Sequence, residues 1–290
     1  MIFIGFIAVT LAVVGGYLME QGNLHILFQP AEVVIIFGAA IGGFIIATPS
    51  HVIKLVKEGI GQAFKGRMYT KNDYIELLSL LYETLQKIGK EGLREIEKDV
   101  NNPEKCALFK KYPLVFNNPL AMTFLVDILR SIISTTLSAH ELESLLDNEL
   151  ETIYEDVLAS SKSVANVADA LPGLGIVAAV LGVVITMQKM SEPPEVLGHS
   201  IGAAMVGTFL GVLMCYGFVG PLAKKLEYIA EEHRNFLDVI RVVFVSFTGG
   251  AHYMIATEFG RRVIPPNLRP TFDETERVVG RKEKKEKKGK

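Results

Sequence analysis

Charge, cysteine and metal-ligand clusters are all scarce in this chain of 290 residues, and each scarcity excludes a class of protein. No Asp, Glu, Lys or Arg occurs in residues 1–19, 33–53, 170–188 or 196–223. Each window reaches or exceeds the roughly 18–20 residues that a helix needs to cross about 30 Å of hydrocarbon. Four such windows exclude an ordinary soluble enzyme, a disordered chain and a collagen-like chain. The two cysteines, Cys106 and Cys215, exclude a disulfide-stapled secreted fold and are expected to be packing residues. The six histidines (25, 51, 140, 199, 233 and 252) are scattered, with no His/Cys/Asp/Glu cluster at ligand spacing, so neither a metal site nor a cofactor is expected. The apolar fraction of 49% and the mean hydropathy of +0.31 decide little by themselves; the distribution decides.

Basic charge is missing from two particular places. Residues 20–32 carry no Lys or Arg and residues 189–195 carry one, whereas 51–169 carry 14 and 221–290 carry 15. The positive-inside bias therefore places both termini and the long middle segment in the cytoplasm. No Lys or Arg precedes the first apolar run and no small-residue cleavage pattern follows it, so it is read as a retained span and not a signal peptide.

What is present reads as an all-α membrane protein: four transmembrane helices with a large helical cytoplasmic domain. Residues 1–53 form a hairpin with spans at 1–19 and 33–53. Residues 54–168 form the cytoplasmic domain, with apolar residues at i, i+3, i+4 and i+7 through 74–85, and again at 120–133 and 139–158. Asn101-Asn102-Pro103 and Asn117-Asn118-Pro119 mark breaks between its helices. Residues 169–223 form a second hairpin with spans at 170–188 and 199–221. Residues 224–290 hold a cytoplasmic C-terminal helix and a basic tail, 280–290, read as a solvated end, with contact to anionic lipid as the lesser reading.

No ionisable residue sits near the middle of any span. Pumps and carriers place such groups there despite their cost. Either this chain transports nothing or a partner supplies the titrating group. The spans do contain proline and small residues at suggestive places. Pro172, in Asp169-Ala170-Leu171-Pro172-Gly173, is expected in the first turn of span three, where its missing N–H costs nothing. Pro221, closing Gly217-Phe218-Val219-Gly220-Pro221, is expected to bend or end span four. Gly38/Gly42 and Gly207/Gly211 are small-xxx-small pairs expected to pack helices closely, and Thr208 brings a hydroxyl into the bilayer.

These runs resemble a known family. LPGLGIVAAVLGVV at 171–184 is similar to span three of the MotA family of flagellar motor stator subunits, within the wider MotA/TolQ/ExbB proton channel family. MVGTFLG at 205–211 and YGFVGPLA at 216–223 are similar to its span four, and EFGRR at 258–262 with RPTFDE at 269–274 to its C-terminal cytoplasmic signature. The resemblance covers essentially the whole chain. It implies a homo-oligomeric ring, expected to number five subunits, around the single-span partner MotB, which supplies the ion-carrying Asp. Ion flow would turn the ring against the rotor protein FliG. Pro172 and Pro221 stand where the family has prolines that couple ion flow to rotation, and Thr208 where its pore-lining hydroxyl lies. Ala179 fills a position at which sodium-driven relatives carry a threonine, which implies proton drive. The family's rotor contact implies Glu97 as the acidic partner and Lys87 or Lys90 as the basic one, where relatives often have arginine.

Four other readings stand beside this one, the first a passive membrane scaffold, which would carry no proton flux even with MotB present. A sodium-driven stator remains open if the partner supplies further oxygen ligands. An ExbB- or TolQ-like energiser of outer-membrane processes has three spans as a rule, against four here. A membrane enzyme would need a nucleophile–base constellation, a Walker lysine or a metal cluster, and the sequence has none, so no enzymatic activity is expected.

Overall fold

The computed structural model describes residues 2–66 and 68–277; the basic tail at 280–290 lies outside them. Among the described residues every regular element is helical. The chain divides into two compact units, Met1–Gly66 with Glu155–Ala230 and Arg67–Tyr154 with Glu231–Lys290.

The first unit contains α1 (Ile2–Met19), the single turn α2 (Leu24–Leu27), α3 (Pro30–Ala47), α4 (Ser50–Lys65), the second part of α10 (Ala139–Met187), α11 (Pro194–Leu213), a π-helical turn (Met214–Val219) and the start of α12 (Gly220–Thr248). Four runs are long and apolar enough to cross a membrane: Ile2–Met19, Leu24–Ala47, Ala139–Met187 and Pro194–Thr248. Proline opens α3 and α11, where its absent N–H belongs to a group with no intrahelical acceptor. Aromatic contacts hold α1 in place: Phe3 lies 5.0 Å from Phe64 of α4, and Phe6 lies 5.1 Å from Phe218 of the π turn.

The second unit is built on α5 (Lys71–Glu91), α6 (Leu93–Asn101), the short α7 (Ala107–Lys110) and α8 (Pro113–Phe116), α9 (Pro119–Ser134), α13 (Tyr253–Val263) and the remaining parts of α10 and α12. Thr70 and Asp73 cap α5 reciprocally, and the Asn118 side chain caps α9 just ahead of Pro119. Leu77, Leu81 and Leu85 of α5, one helical turn apart, meet Phe124 and Ile128 of α9, Leu142 and Leu146 of α10, and Phe236, Ile240 and Phe244 of α12 in one core. Within it Tyr69 stacks on Phe236 at 4.1 Å. Its hydroxyl accepts from Asn118 Nδ2 at 2.9 Å and bonds His233 Nδ1 at 2.9 Å. His233 is ten residues beyond Ala223, where the uncharged run of span four ends, and burial holds its pKa down at about 4, so it is a neutral member of this core.

Three sequence-based expectations need correction. Pro172 does not open a helix: α10 runs unbroken from Ala139 to Met187 with Pro172 inside it, so the Ala168 carbonyl loses its intrahelical donor. Pro221 neither ends nor breaks the fourth rod. The π turn at Met214–Val219 widens the backbone immediately before it, and α12 then continues to Thr248. The helix over the expected second span, 33–53, is not continuous: α3 ends at Ala47 and Thr48-Pro49 breaks the chain before α4. Within this chain Gly38 and Gly42 meet nothing within 4 Å, and the face of α3 that packs here is Glu32, Ile36 and Ala40.

Candidate functional site

Small residues bring α10 and α11 backbone to backbone. A Cβ added to Gly175 would stand 2.7 Å from the Gly207 carbonyl oxygen, and one on Gly211 would stand 2.5 Å from the Leu171 carbonyl oxygen. Higher on the same crossing, a Cβ on Gly182 would lie 2.7 Å from the Ala204 Cβ, and one on Gly207 would lie 3.0 Å from the Ala178 Cβ and 3.2 Å from the Ala179 nitrogen. Glycine is needed at these places because nothing larger fits between the two helices. The Gly207/Gly211 pair therefore packs helices, as its spacing predicts.

Three of the sequence-chosen residues meet along this crossing. Pro172 adjoins the Leu171 carbonyl that faces Gly211, Ala179 abuts Gly207, and the Thr208 Cα lies 3.3 Å from where a Gly175 Cβ would be. Thr208 is half-buried, and its hydroxyl makes no hydrogen bond among the described residues. Thr186, on the same α10, instead gives its hydroxyl to the Gly182 carbonyl at 2.9 Å. The free Thr208 hydroxyl can serve an ion, a water or a partner's side chain. Pro221 stands apart. It is exposed and lines a separate cavity of about 220 Å³ with Ile2, Phe6 and Val9 of α1.

One buried acid at the crossing escaped the sequence reading. Glu32 sits in the first turn of α3, is only 7% exposed, and aims its carboxyl at the crossing. It lies one residue outside the uncharged window that defined span two. The spacing of Glu32, Ile36 and Ala40 along one helical stripe was the available signal.

The rotor-contact candidates lie in the other unit. Gly92, at φ +87°, turns the chain between α5 and α6 and brings Lys87 opposite Asp99. Their Nζ–Oδ2 distance is 2.6 Å, with side chains 27% and 20% exposed. Burial is the largest single influence and works against the Lys87 charge, but the Asp99 hydrogen bond together with the negative charge of Asp99 and Glu91 outweighs it and holds the pKa above the ordinary lysine value. Lys87 is thus committed to an internal pair. Lys90 and Glu97 are exposed, Glu97 on an α6 that buries Ile96 and Val100. In the C-terminal signature Arg261 grips Glu258 at 2.6 Å and donates to the Pro270 carbonyl at 2.9 Å, so EFGRR and RPTFDE are tied together. That hydrogen bond holds the Glu258 pKa below the usual carboxylate range.

The comparisons decide the family. Residues 3–92 match the motility protein A N-terminal family model, and 117–238 match that of the MotA/TolQ/ExbB proton channel family. The chain is 40% identical over 279 residues to motility protein A of Salmonella typhimurium and of Escherichia coli, covering 96% of this chain and 95% of each relative. The chain belongs to the motility protein A family. As a motility protein A it is a multi-pass membrane protein of the flagellar stator and not an enzyme. It is also 34% identical to the chemotaxis protein LafT of Vibrio parahaemolyticus, covering 97% of this chain and 99% of that one. Its fold is similar to that in the structure of C. jejuni MotAB (TM-score 0.74, 17% identity, 93% of this chain and 98% of that one) and in the flagellar MotAB stator complex from Bacillus subtilis (TM-score 0.69, 24% identity, 88% and 92%).

Proposed function

We propose that this motility protein A assembles in the bacterial inner membrane as a ring, expected to be pentameric, around MotB, and that protons crossing beside the α10–α11 contact turn the ring against the rotor protein FliG. In this reading both termini and the second unit are cytoplasmic, as the distribution of basic residues favours. The observation that carries it is the unbonded Thr208 hydroxyl on a glycine-lined crossing, beside Ala179 and Pro172, with no acid at mid-span in this chain. A MotB carboxyl would then complete the path. Proton drive is favoured over sodium because Ala179 offers no oxygen, and a hard cation prefers several oxygen ligands. Pro172 leaves one α10 carbonyl without its donor, a place where the helix can flex as the ion passes. Exposed Glu97 and Lys90 would meet FliG, while Lys87 sets the α5–α6 geometry that presents them. The test is proton flux in liposomes, read with an enclosed pH-sensitive dye. The chain with MotB should conduct and the chain alone should not, with no response to sodium at fixed pH and potential. Flux without MotB, or flux carried by sodium, contradicts the proposal.

A further inference from the structure

Among the described residues Glu32 is the one buried acid, and it lies among the membrane helices at the crossing. It belongs to α3, whose other residues are all uncharged, and it heads the stripe that continues with Ile36 and Ala40. Its Oε2 has no hydrogen-bond partner. The room for the carboxyl comes from α10 and α11. A Cβ on Gly207 would collide with Oε2, and a Cβ on Gly182 would come within 3.4 Å of Oε1, with Ala204 beside it. Two glycines thus omit side chains where this carboxyl lies, and Gly207 is the residue immediately before Thr208.

A bare carboxylate in such a place is costly, and an apolar residue would continue the stripe at no such cost. Something must neutralise the group. The ionisable residues carried by the helices packed on it do not. On α11 they are His199 and Glu195, about 7 and 13 Å along the axis from Ala204 at 1.5 Å per residue; on α10 the nearest is Asp169, about 20 Å from Gly182. His25 lies on α2, which packs on α11, and none of the four bonds to Glu32 Oε2. Gly182, Ala204 and Gly207 bring no side-chain oxygen, so the site lacks the several oxygens that a sodium ion wants.

We propose that Glu32 is a proton-binding site on this chain, at the end of the channel nearer the α10–α11 connection, which takes up a proton before it passes to the Thr208 level. The step is reversible protonation: the carboxylate takes one proton from hydronium, giving the carboxylic acid and water, and no other bond changes. The inference rests on the proton-channel reading above. It adds a titrating group in this chain to the carboxyl that MotB is proposed to provide.

The experiment uses the assembled complex with MotB, as wild type, Glu32→Gln and Glu32→Asp. Two readouts are taken: proton flux against external pH in liposomes, and the infrared band of a protonated carboxyl against pH in the purified complex. The wild type should show a carboxyl band that titrates and that Glu32→Gln removes. Glu32→Gln, which keeps the shape but cannot titrate, should lower flux about tenfold or more and flatten its pH dependence, while Glu32→Asp keeps a measurable part. Unchanged flux and pH profile in Glu32→Gln overturns the proposal, as does a wild-type minus Glu32→Gln difference spectrum without a titrating carboxyl band, the MotB carboxyl cancelling in that difference. If Glu32→Gln fails to assemble, the wild-type band alone decides: one that titrates and moves in Glu32→Asp supports the site, and a constant one overturns it. Displacement of that titration by sodium chloride at fixed ionic strength also overturns it. A titrating band in a wild-type complex that conducts no protons removes the channel reading and leaves the binding site standing.

Discussion

Gly175 and Gly173 lie two residues apart on α10 and should answer the same substitution in opposite ways. A Cβ on Gly173 meets nothing within 4 Å. One on Gly175 would stand 2.7 Å from the Gly207 carbonyl oxygen, 3.2 Å from the Gly211 Cα and 3.3 Å from the Thr208 Cα, all of them backbone atoms that cannot rotate away. Ordinary contact begins near 3.4 Å, so α10 and α11 must separate locally by about 0.7 Å. Overpacking of this kind costs about 1–3 kcal/mol, against up to about 1 kcal/mol gained from replacing a helical glycine by alanine. Gly175→Ala should therefore destabilise the purified chain by about 1–2 kcal/mol, and Gly173→Ala should leave it equal or slightly more stable. Thermal unfolding in detergent, followed by circular dichroism, should separate the two variants by several degrees. Swimming should fail in Gly175→Ala because Thr208 moves with the separating backbone. Equal melting temperatures for the two variants would refute the close crossing.

Further outcomes follow from the second unit. Glu97→Lys should slow swimming while leaving assembly intact, and a FliG charge reversal should partly restore it; a single exposed contact contributes about 1 kcal/mol or less, so the loss should deepen when Lys90 is also reversed. Lys87→Ala should destabilise the second unit by about 1–3 kcal/mol in chemical denaturation, because Asp99 is left half-buried without its donor, whereas Lys90→Ala should change little. His233 is neutral in the fold, with its pKa lowered by burial to about 4 from an ordinary 6.5. The unfolded chain then binds the extra proton between those values. Stability is full above about pH 6.5 and should fall by up to about 3 kcal/mol as pH drops to 4, and His233→Gln should flatten that part of the melting-temperature profile.

Much of this fold was legible because a membrane helix announces itself by the absence of charge, as in 1–19 and 170–188. Asn118-Pro119 likewise marked the start of α9, since the side chain caps the helix and proline suits its first turn. Proline misled inside longer helices. Pro172 and Pro221 look like boundaries to a local reading, yet tertiary packing carries α10 through one, and a π turn carries the last rod past the other. Glu32 was missed because a window of uncharged residues is trimmed at its first charge, whereas the helix extends to Pro30 and folds that charge inward. At the crossing, Pro172, Ala179 and Thr208 were found through resemblance, and their meeting depends on glycines far apart in sequence.

Swimming speed in cells whose only stator is this chain with MotB tests the crossing most directly, comparing Thr208→Val with Thr208→Ser. Valine keeps the volume and shape of threonine and removes only the hydroxyl; serine keeps the hydroxyl. The expected result is near loss of swimming in Thr208→Val at wild-type membrane levels of both proteins, with Thr208→Ser retaining speed that follows the proton gradient. Wild-type swimming by Thr208→Val would contradict a path that runs beside α10 and α11.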